Sequence, residues 1–322
     1  MLLSVLIVNF RTGSMTSECV ASFKRSLQGC EHEIIVIDNR SEDDSVETLR
    51  RDHPDIKVID ASANRGYGAA INLGAGLAAG DYLVISNSDI LAGEAFADQL
   101  ERFYRDQGVG ILGIRLTRPD GSVQPSYGYF PSPLEIVLSE ISPLNRIRHR
   151  HFNLYAATDV AHPRTRQVDW VTGALMFISR TNFNRIGGFD ERFFMYYEDV
   201  DFSRRARDLG LATFFVAECS AVHRHCGTSA ALPKLDYNIH KVEERRSALL
   251  YLEKHHPRQL RTVAALLEAN FGWTLAGLSL KYYALAFSAS RRKRNRYKVE
   301  TYRRLVALAR NARRAGTTWV SS

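Results

Sequence analysis

Short runs rich in Ile, Val and Leu, separated by stretches of helical spacing, fill the first third of this chain and narrow what it can become. Ser4–Asn9, Glu33–Asp38, Ile56–Asp60, Tyr82–Ser86 and Gly110–Leu116 read as strands. Thr16–Gln28, Ser45–Asp52, Gly68–Ala79 and Ala95–Asp106 read as helices. Strands that are apolar on both faces, with helices between them, require a mostly parallel α/β sheet covered on both sides. Ligands on such a sheet bind at the carboxyl ends of the strands. Polar residues fall there: Asn9 after the first strand, Asp38 and Asn39 after the second, Asn87 and Asp89 after the fourth.

Ser122–Arg166 holds five prolines and weak periodicity, which predicts a loop-rich segment. Trp170–Ser179 reads as a buried strand, Thr181–Ile186 as a helix and Ala212–Val216 as a late strand. Beyond Ala230 the pattern is helical: Lys241–His255, Leu260–Ser290 and Lys298–Arg314. Phe271–Ser290 approaches the roughly 20 residues that span a bilayer. Lys281 in its middle favours an interfacial or helix-packing role. The 322-residue chain has a formal charge of +8, and Lys281–Arg314 contains a single acid, Glu300, so the tail asks for an anionic partner. Met1–Phe10 meets a polar loop at once and reads as a first strand, not a leader. Four cysteines without CxxC spacing predict free thiols in a reducing cytoplasm. His223, His225 and Cys226 lack the paired spacing of a zinc site.

Chemistry concentrates at Gly187–Arg205. An aromatic run, Phe193–Tyr197, leads into Glu198, Asp199 and Asp201, followed by a helix with Arg204, Arg205 and Arg207 on its surface. A helix N-terminus favours an ionised acid, aromatic neighbours desolvate it, and an acid between those influences suits a general base. The plainer reading of Asp199 is a helix cap. Asp38-Asn39 can read a base or ribose, or simply make a turn. Asn64-Arg65-Gly66-Tyr67-Gly68, with Asn72 one turn on, opens a helix whose N–H groups can meet a phosphate or sugar. It is not a Walker loop, and Arg11-Thr12-Gly13-Ser14 after the first strand is not GxGxxG, which disfavours a dinucleotide dehydrogenase. Asp89 in Asn87-Ser88-Asp89 can hold Mg²⁺ or Mn²⁺ against a diphosphate if a second ligand such as His223 assists.

These pieces stand in one order: Val-Asn-Phe at 8–10, Asp-Asn at 38–39, Asn-x-Gly-Tyr-Gly at 64–68, Asn-x-Asp at 87–89, Trp-x-Thr-Gly-Ala at 170–174, Gly-Gly-Phe-Asp-Glu-x-Phe-Phe at 187–194, Glu-Asp-Val-Asp at 198–201 and Val-His at 222–223. That order resembles the family 2 glycosyltransferases of the GT-A fold, and within them the bacterial rhamnosyltransferase-like enzymes of O-antigen and cell-wall polysaccharide assembly. The resemblance covers roughly residues 1–255. It implies a GT-A domain over 1–255, with a nucleotide-sugar half at 1–120 and an acceptor half at 121–255, and a basic helical tail at 256–322. It further implies that Asp38 contacts the nucleotide base with Asn9 and Arg11 lining the pocket, and that Asn64, Gly66 and Asn72 lie near ribose and donor sugar. Asn87, Ser88 and Asp89 form the Asp-x-Asp counterpart, with Asp89 on the metal and Asn87 replacing its first acid. Trp170, Thr172 and Gly173 lie beneath the donor sugar. Asp199 is the base with Glu198 beside it, and His223 reaches the metal or diphosphate, with His225 a second candidate.

The implied reaction is inverting transfer, with rhamnose from a dTDP donor as first expectation and another sugar from a UDP donor as the alternative. Acceptors are saccharides or lipid-linked saccharides. A nucleotidyltransferase would need a Gly-rich basic loop after the first strand, which Asn9–Ser14 lacks. A non-catalytic binding module is disfavoured by Asp89, Asp199 and His223 together. Nucleic acid is disfavoured because no binding motif accompanies the basic tail. For the tail, apolar Phe271–Phe287 and cationic Arg291–Arg296 suggest docking on the inner membrane face, with a homodimer interface as its rival.

Overall fold

The computed structural model of the protein describes residues 2–93, 109–140, 164–224, 237–284 and 289–315. The helix expected at Ala95–Asp106, along with His225 and Cys226, lies outside them. Two compact units are present. The first holds β1 (Leu3–Asn9), α1 (Gly13–Ser26), β2 (His32–Asp38), α2 (Ser45–Asp52), β3 (Lys57–Asp60), α3 (Tyr67–Leu77), β4 (Tyr82–Asn87), β5 (Ile90–Ala92), β6 (Ile111–Thr117), β7 (Val123–Gln124) and β8 (Tyr127–Gly128). The second begins with α4 (Pro133–Glu140). The first resumes with β9 (Arg166–Val168), β10 (Trp170–Val171), β11 (Leu175–Ser179), α5 (Arg180–Ile186), α6 (Glu198–Asp208) and β12 (Thr213–His223). The second ends with α7 (Tyr237–His255), α8 (Pro257–Ala284) and α9 (Ala289–Ala315).

The main sheet runs β3-β2-β1-β4-β11-β6-β12-β5, with β7 on β6 and β9 on β12. Side chains alternate across a strand, and the apolar runs split accordingly. Leu3, Val5, Ile7, Val84 and Phe177 pack with Cys19, Val20 and Phe23 of α1. Leu6, Val8, Leu83, Ile85 and Met176 pack with Ile71 of α3, Phe183 of α5 and Phe202 of α6. Both faces are therefore buried, as continuous β-branched runs require.

Three expectations change. The run Trp170–Ser179 is two strands: β10 pairs with β8 in a separate ladder, and β11 lies between β4 and β6. The late strand extends to His223: after a register irregularity between Val216 and Ser220 it resumes pairing with β6, and β5 pairs its other edge at Ala221–His223. The loop-rich segment contains α4, announced by a capping box in which Ser132 Oγ accepts from Glu135 N–H and Glu135 Oε2 from Ser132 N–H.

In the second unit, Ile136 and Val137 of α4, Leu249 and Leu252 of α7, Leu260, Leu267 and Phe271 of α8 and Leu305 of α9 form one core. The helical unit thus takes in α4 and α7 as well as the region after residue 255. By length and composition Pro257–Leu280 suffices to cross a membrane, yet one side of it is packed into this core.

One contact fixes the site. Gly66 adopts φ +95°, and a Cβ there would lie 2.3 Å from the carbonyl oxygen of Phe194. Tyr67 N–H donates to that same oxygen at 3.1 Å. The start of α3 is thereby pressed on the segment that leads to α6. Gly66→Ala combines a left-handed backbone with a clash against main chain, so it is expected to cost upward of about 2 kcal/mol. Urea unfolding of the full chain measures this, and a change within about 0.5 kcal/mol would contradict the contact.

Candidate active site

β1, β2 and β4 are parallel, so Asn9, Asp38 and Asn87 end on one edge. β11 runs against β4, β6 against β11, and β12 along β6. His223, the last residue of β12, therefore arrives on the same edge, opposite Ile90. Residues more than a hundred positions apart meet there because of strand direction alone.

Asn9 is fully buried. Its Nδ2 donates to Asp38 Oδ1 (2.5 Å) and Ser41 Oγ (3.1 Å), and its Oδ1 accepts from Thr12 Oγ1 (2.9 Å) and Thr16 Oγ1 (2.6 Å). An amide has two donor hydrogens and two acceptor sites, and all are used inside the protein. Asn9 holds Asp38 in place. That carboxylate is also buried and accepts from Ser41 N–H (2.8 Å) and Ser41 Oγ (2.5 Å). Arg11 is exposed, at φ +55°, tethered by its N–H to Ser41 Oγ (2.8 Å) and by Nε to the Ser41 carbonyl (3.0 Å). Thr12 Oγ1 reaches Ser88 Oγ at 3.0 Å, tying the loop after β1 to the Asn87-Ser88-Asp89 turn.

Asn64, Gly66 and Asn72, expected near ribose and donor sugar, are each engaged with protein. Asn64 Oδ1 accepts from Gly66 N–H (3.1 Å) and Asn39 Nδ2 (2.9 Å). Asn72 behaves as a strand would: Oδ1 accepts from Phe189 N–H (2.8 Å) and Nδ2 donates to the Phe189 carbonyl (2.9 Å). A Cβ on Gly188, at φ +68°, would meet Asn72 Oδ1 at 2.6 Å. The motif at 64–72 is thus a clamp on the motif at 187–194.

The acids after that clamp have three fates. Asp201 is wholly buried and pairs with Arg205 at 2.8 Å; Arg205 also donates to the carbonyls of Ile186 (2.7 Å) and Gly188 (2.8 Å). Arg205 is therefore a brace, and Arg204 and Arg207 lie over the Phe130 ring at 5.3 and 4.4 Å, not merely in solvent. Glu198 is buried, and its Oε2 has no hydrogen-bond partner among the described residues. Burial first, then the charge of Asp199, pushes Glu198 up to about 8. Asp199, half-buried in the first turn of α6, is also raised by desolvation, opposed by the N–H groups of Gly173 (Oδ2, 3.0 Å) and Val200 (Oδ1, 2.8 Å). Both carboxyls are raised, and the two N–H groups on Asp199 favour its ionised form over that of Glu198. Tyr196 and Tyr197, immediately before, both take left-handed φ values of +66° and +64°, strain of the kind that collects at functional sites.

Gly173 N–H is available because the chain turns between β10 and β11. Thr172 N–H donates to the Ser126 carbonyl (2.9 Å), Thr172 Oγ1 accepts from Ala174 N–H (3.3 Å), and Asn87 N–H donates to the Ala174 carbonyl (2.9 Å). Trp170, half-buried, donates from Nε1 to the Tyr129 carbonyl (2.9 Å). Tyr67, which the sequence did not single out, donates to the Gly173 carbonyl (2.7 Å). Its hydroxyl is pushed well above the ordinary value by burial and then by the charges of Glu198, Asp199 and Asp89. One phenol therefore feels both acid clusters.

Asp89 and His223 are buried, with Oδ1 and Nε2 3.1 Å apart. His223 Nδ1 donates to Gln124 Oε1 at 3.0 Å, which turns Nε2 toward Asp89. Gln124 was not legible as a partner, standing 99 residues from His223 with no local signal. Among the described residues no three His, Cys, Asp or Glu side chains converge on one point. Cys19, Cys30 and Cys219 are not joined in disulfides.

A family model described as Glycosyl transferase family 2 matches residues 4–173. The chain is 29% identical over 285 residues to N-acetylglucosaminyl-diphospho-decaprenol L-rhamnosyltransferase of Mycobacterium tuberculosis, covering 82% of this chain and 86% of that protein. It is 27% identical over 212 residues to the low-salt glycan biosynthesis hexosyltransferase Agl10 of Haloferax volcanii, covering 64% and 61%. Among solved structures, GalNAc-T7 with UDP, GalNAc and Mn²⁺ shares the fold, with a TM-score of 0.52 and 16% identity over 80% of this chain and 52% of that one. Asp199 and His223 lie beyond the matched 4–173 but within the same sheet edge and clamp. With that edge built from the family's own segment, the chain is a GT-A-fold glycosyltransferase and belongs to glycosyl transferase family 2.

Proposed function

We propose that this enzyme transfers a sugar, L-rhamnose in the first instance, from a nucleoside diphosphate (dTDP- or UDP-linked) to a lipid-linked saccharide by a single inverting displacement. The donor and acceptor rest on likeness to the mycobacterial rhamnosyltransferase. The observation that supports the reaction type is that the turn after β10 meets both acid motifs: Gly173 N–H donates to Asp199 Oδ2 at 3.0 Å, and the Ala174 carbonyl accepts from Asn87 N–H of the Asn87-Ser88-Asp89 turn at 2.9 Å.

Asp89 and His223 would hold Mg²⁺ or Mn²⁺ through a carboxylate oxygen and an imidazole nitrogen that lie 3.1 Å apart, donors that suit such a cation. What such a cation supplies when bound is positive charge for the departing diphosphate. Two protein ligands leave room for diphosphate oxygens. Gln124 keeps Nε2 on that side. Arg11 and Asp38 hold the nucleotide end at the tips of β1 and β2, and Trp170, Thr172 and Gly173 floor the sugar. As the acceptor oxygen bonds to the anomeric carbon and the carbon–diphosphate bond breaks, Asp199 takes the acceptor hydroxyl proton. Glu198 stays neutral and keeps a second negative charge out of the site.

Asp199→Asn is expected to lower turnover by about 10²–10⁴-fold with donor affinity nearly unchanged. Rapid-quench transfer assays and donor titration read this, and near-normal turnover refutes the assignment. A product with retained anomeric configuration, seen by NMR, would remove the single displacement.

Gln124→Leu is expected to weaken Mn²⁺ binding about 10–100-fold, measured by titration of the metal in the presence of donor. Glu198→Gln tests the neutral carboxyl. The folded state holds that proton up to about 8, the unfolded chain only to about 4.3. The stabilisation is full below the lower value and declines as pH rises toward 8. The wild-type thermal midpoint should fall between pH 5 and 8.5 more than that of the Gln variant; parallel curves would deny Glu198 its raised value.

A further inference from the structure

α8 has two unlike faces. Leu260, Val263, Ala264, Leu267 and Phe271 are buried in the helical core. Ala265, Leu266, Ala269, Trp273, Ala276, Gly277 and Leu280 are exposed, at spacings of three and four that make one stripe. Leu266 is 51% exposed, Trp273 84% and Leu280 72%, and these three repeat every seven residues. The stripe is about 22 Å long at 1.5 Å per residue. Within residues 262–280 the only charge is Glu268, and it is tied to Arg310 and Arg313 of α9, each at 2.8 Å. Of the apolar face expected at Phe271–Phe287, the described side chains reach Leu280, and Phe271 itself is turned inward.

We infer that this stripe is a docking face for an anionic lipid surface, with the helix lying in the interface and not across it. Half of α8 is already packed against its own unit, which excludes lipid on all sides. The exposed half combines long aliphatic side chains with a tryptophan, the residue favoured where apolar and wet regions meet. Exposed cations lie on the same two helices: Arg258 and Arg261 at the start of α8, and Arg303, Arg304, Arg310, Arg313 and Arg314 on α9. Residues 257–315 contain fourteen Lys or Arg against two Glu. Apolar burial plus a basic set is the two-part requirement for stable interfacial anchoring. A second copy of the chain fits less well, since self-association would oppose like charges.

The test uses the full chain and no sugar donor, so it succeeds or fails separately from the transferase assignment. Co-sedimentation is measured with vesicles of phosphatidylglycerol and phosphatidylcholine and with phosphatidylcholine alone. Wild type is expected to bind the anionic vesicles at least tenfold more tightly, less so at high salt. Leu266→Ser, Trp273→Ser and Leu280→Ser together should reduce binding at least tenfold with an unchanged thermal midpoint, because all three are exposed. The inference is overturned by no vesicle binding, by undiminished binding of the triple variant, by equal capture on oligonucleotides, or by a wild-type dimer in sedimentation equilibrium that the triple variant abolishes.

Discussion

The backbone of Phe194 resting on Gly66 is the constraint from which the active site is assembled. Where a Cβ would lie 2.3 Å from the Phe194 oxygen, only hydrogen fits, and Tyr67 N–H seals the contact. Asn72 extends it by pairing with both backbone groups of Phe189, and Arg205 closes the far side on Ile186 and Gly188. The loop before α6 is thereby held from two directions. Asp199 emerges from it at a fixed place, against Gly173 N–H.

The electrostatics follow from that placement. Two adjacent acids enter a partly desolvated first turn, and Asp199 takes N–H groups from Gly173 and Val200. Glu198 has no partner on Oε2 among the described residues, and burial raises it to about 8. The difference between the two acids is thus a matter of hydrogen-bond supply and not of residue type. Asp201, two positions on, is neutralised by Arg205 and belongs to the scaffold.

Much of this was readable in advance. The β-branched runs gave β1 to β4, β6 and the parallel sheet, since a strand apolar on both faces has few other homes. Asp89, His223, Asp199 and Gly173 do converge on one edge or one contact. The motif residues Asn9, Asn64, Gly66 and Asn72 were legible as a set, whereas the protein groups they hydrogen-bond, 25 to 117 positions away, were not. Helix α4 was missed although Ser132-Pro133-Leu134-Glu135 spells its cap, because the surrounding prolines dominated the pattern. Trp170–Ser179 looked like one strand because apolar content does not reveal the turn at Thr172–Ala174.

By itself the sequence determined which stretches are strands and helices, which face of each is apolar, and which residue types reach the strand ends, because these depend on local periodicity and backbone preference. Only the tertiary structure decided that Gln124 meets His223, that Tyr67 donates to the Gly173 carbonyl, and that Glu198 and Asp199 differ in hydrogen-bond partners. Such facts depend on burial and on partners 26 to 106 residues away, and no local pattern encodes a distance across the sheet.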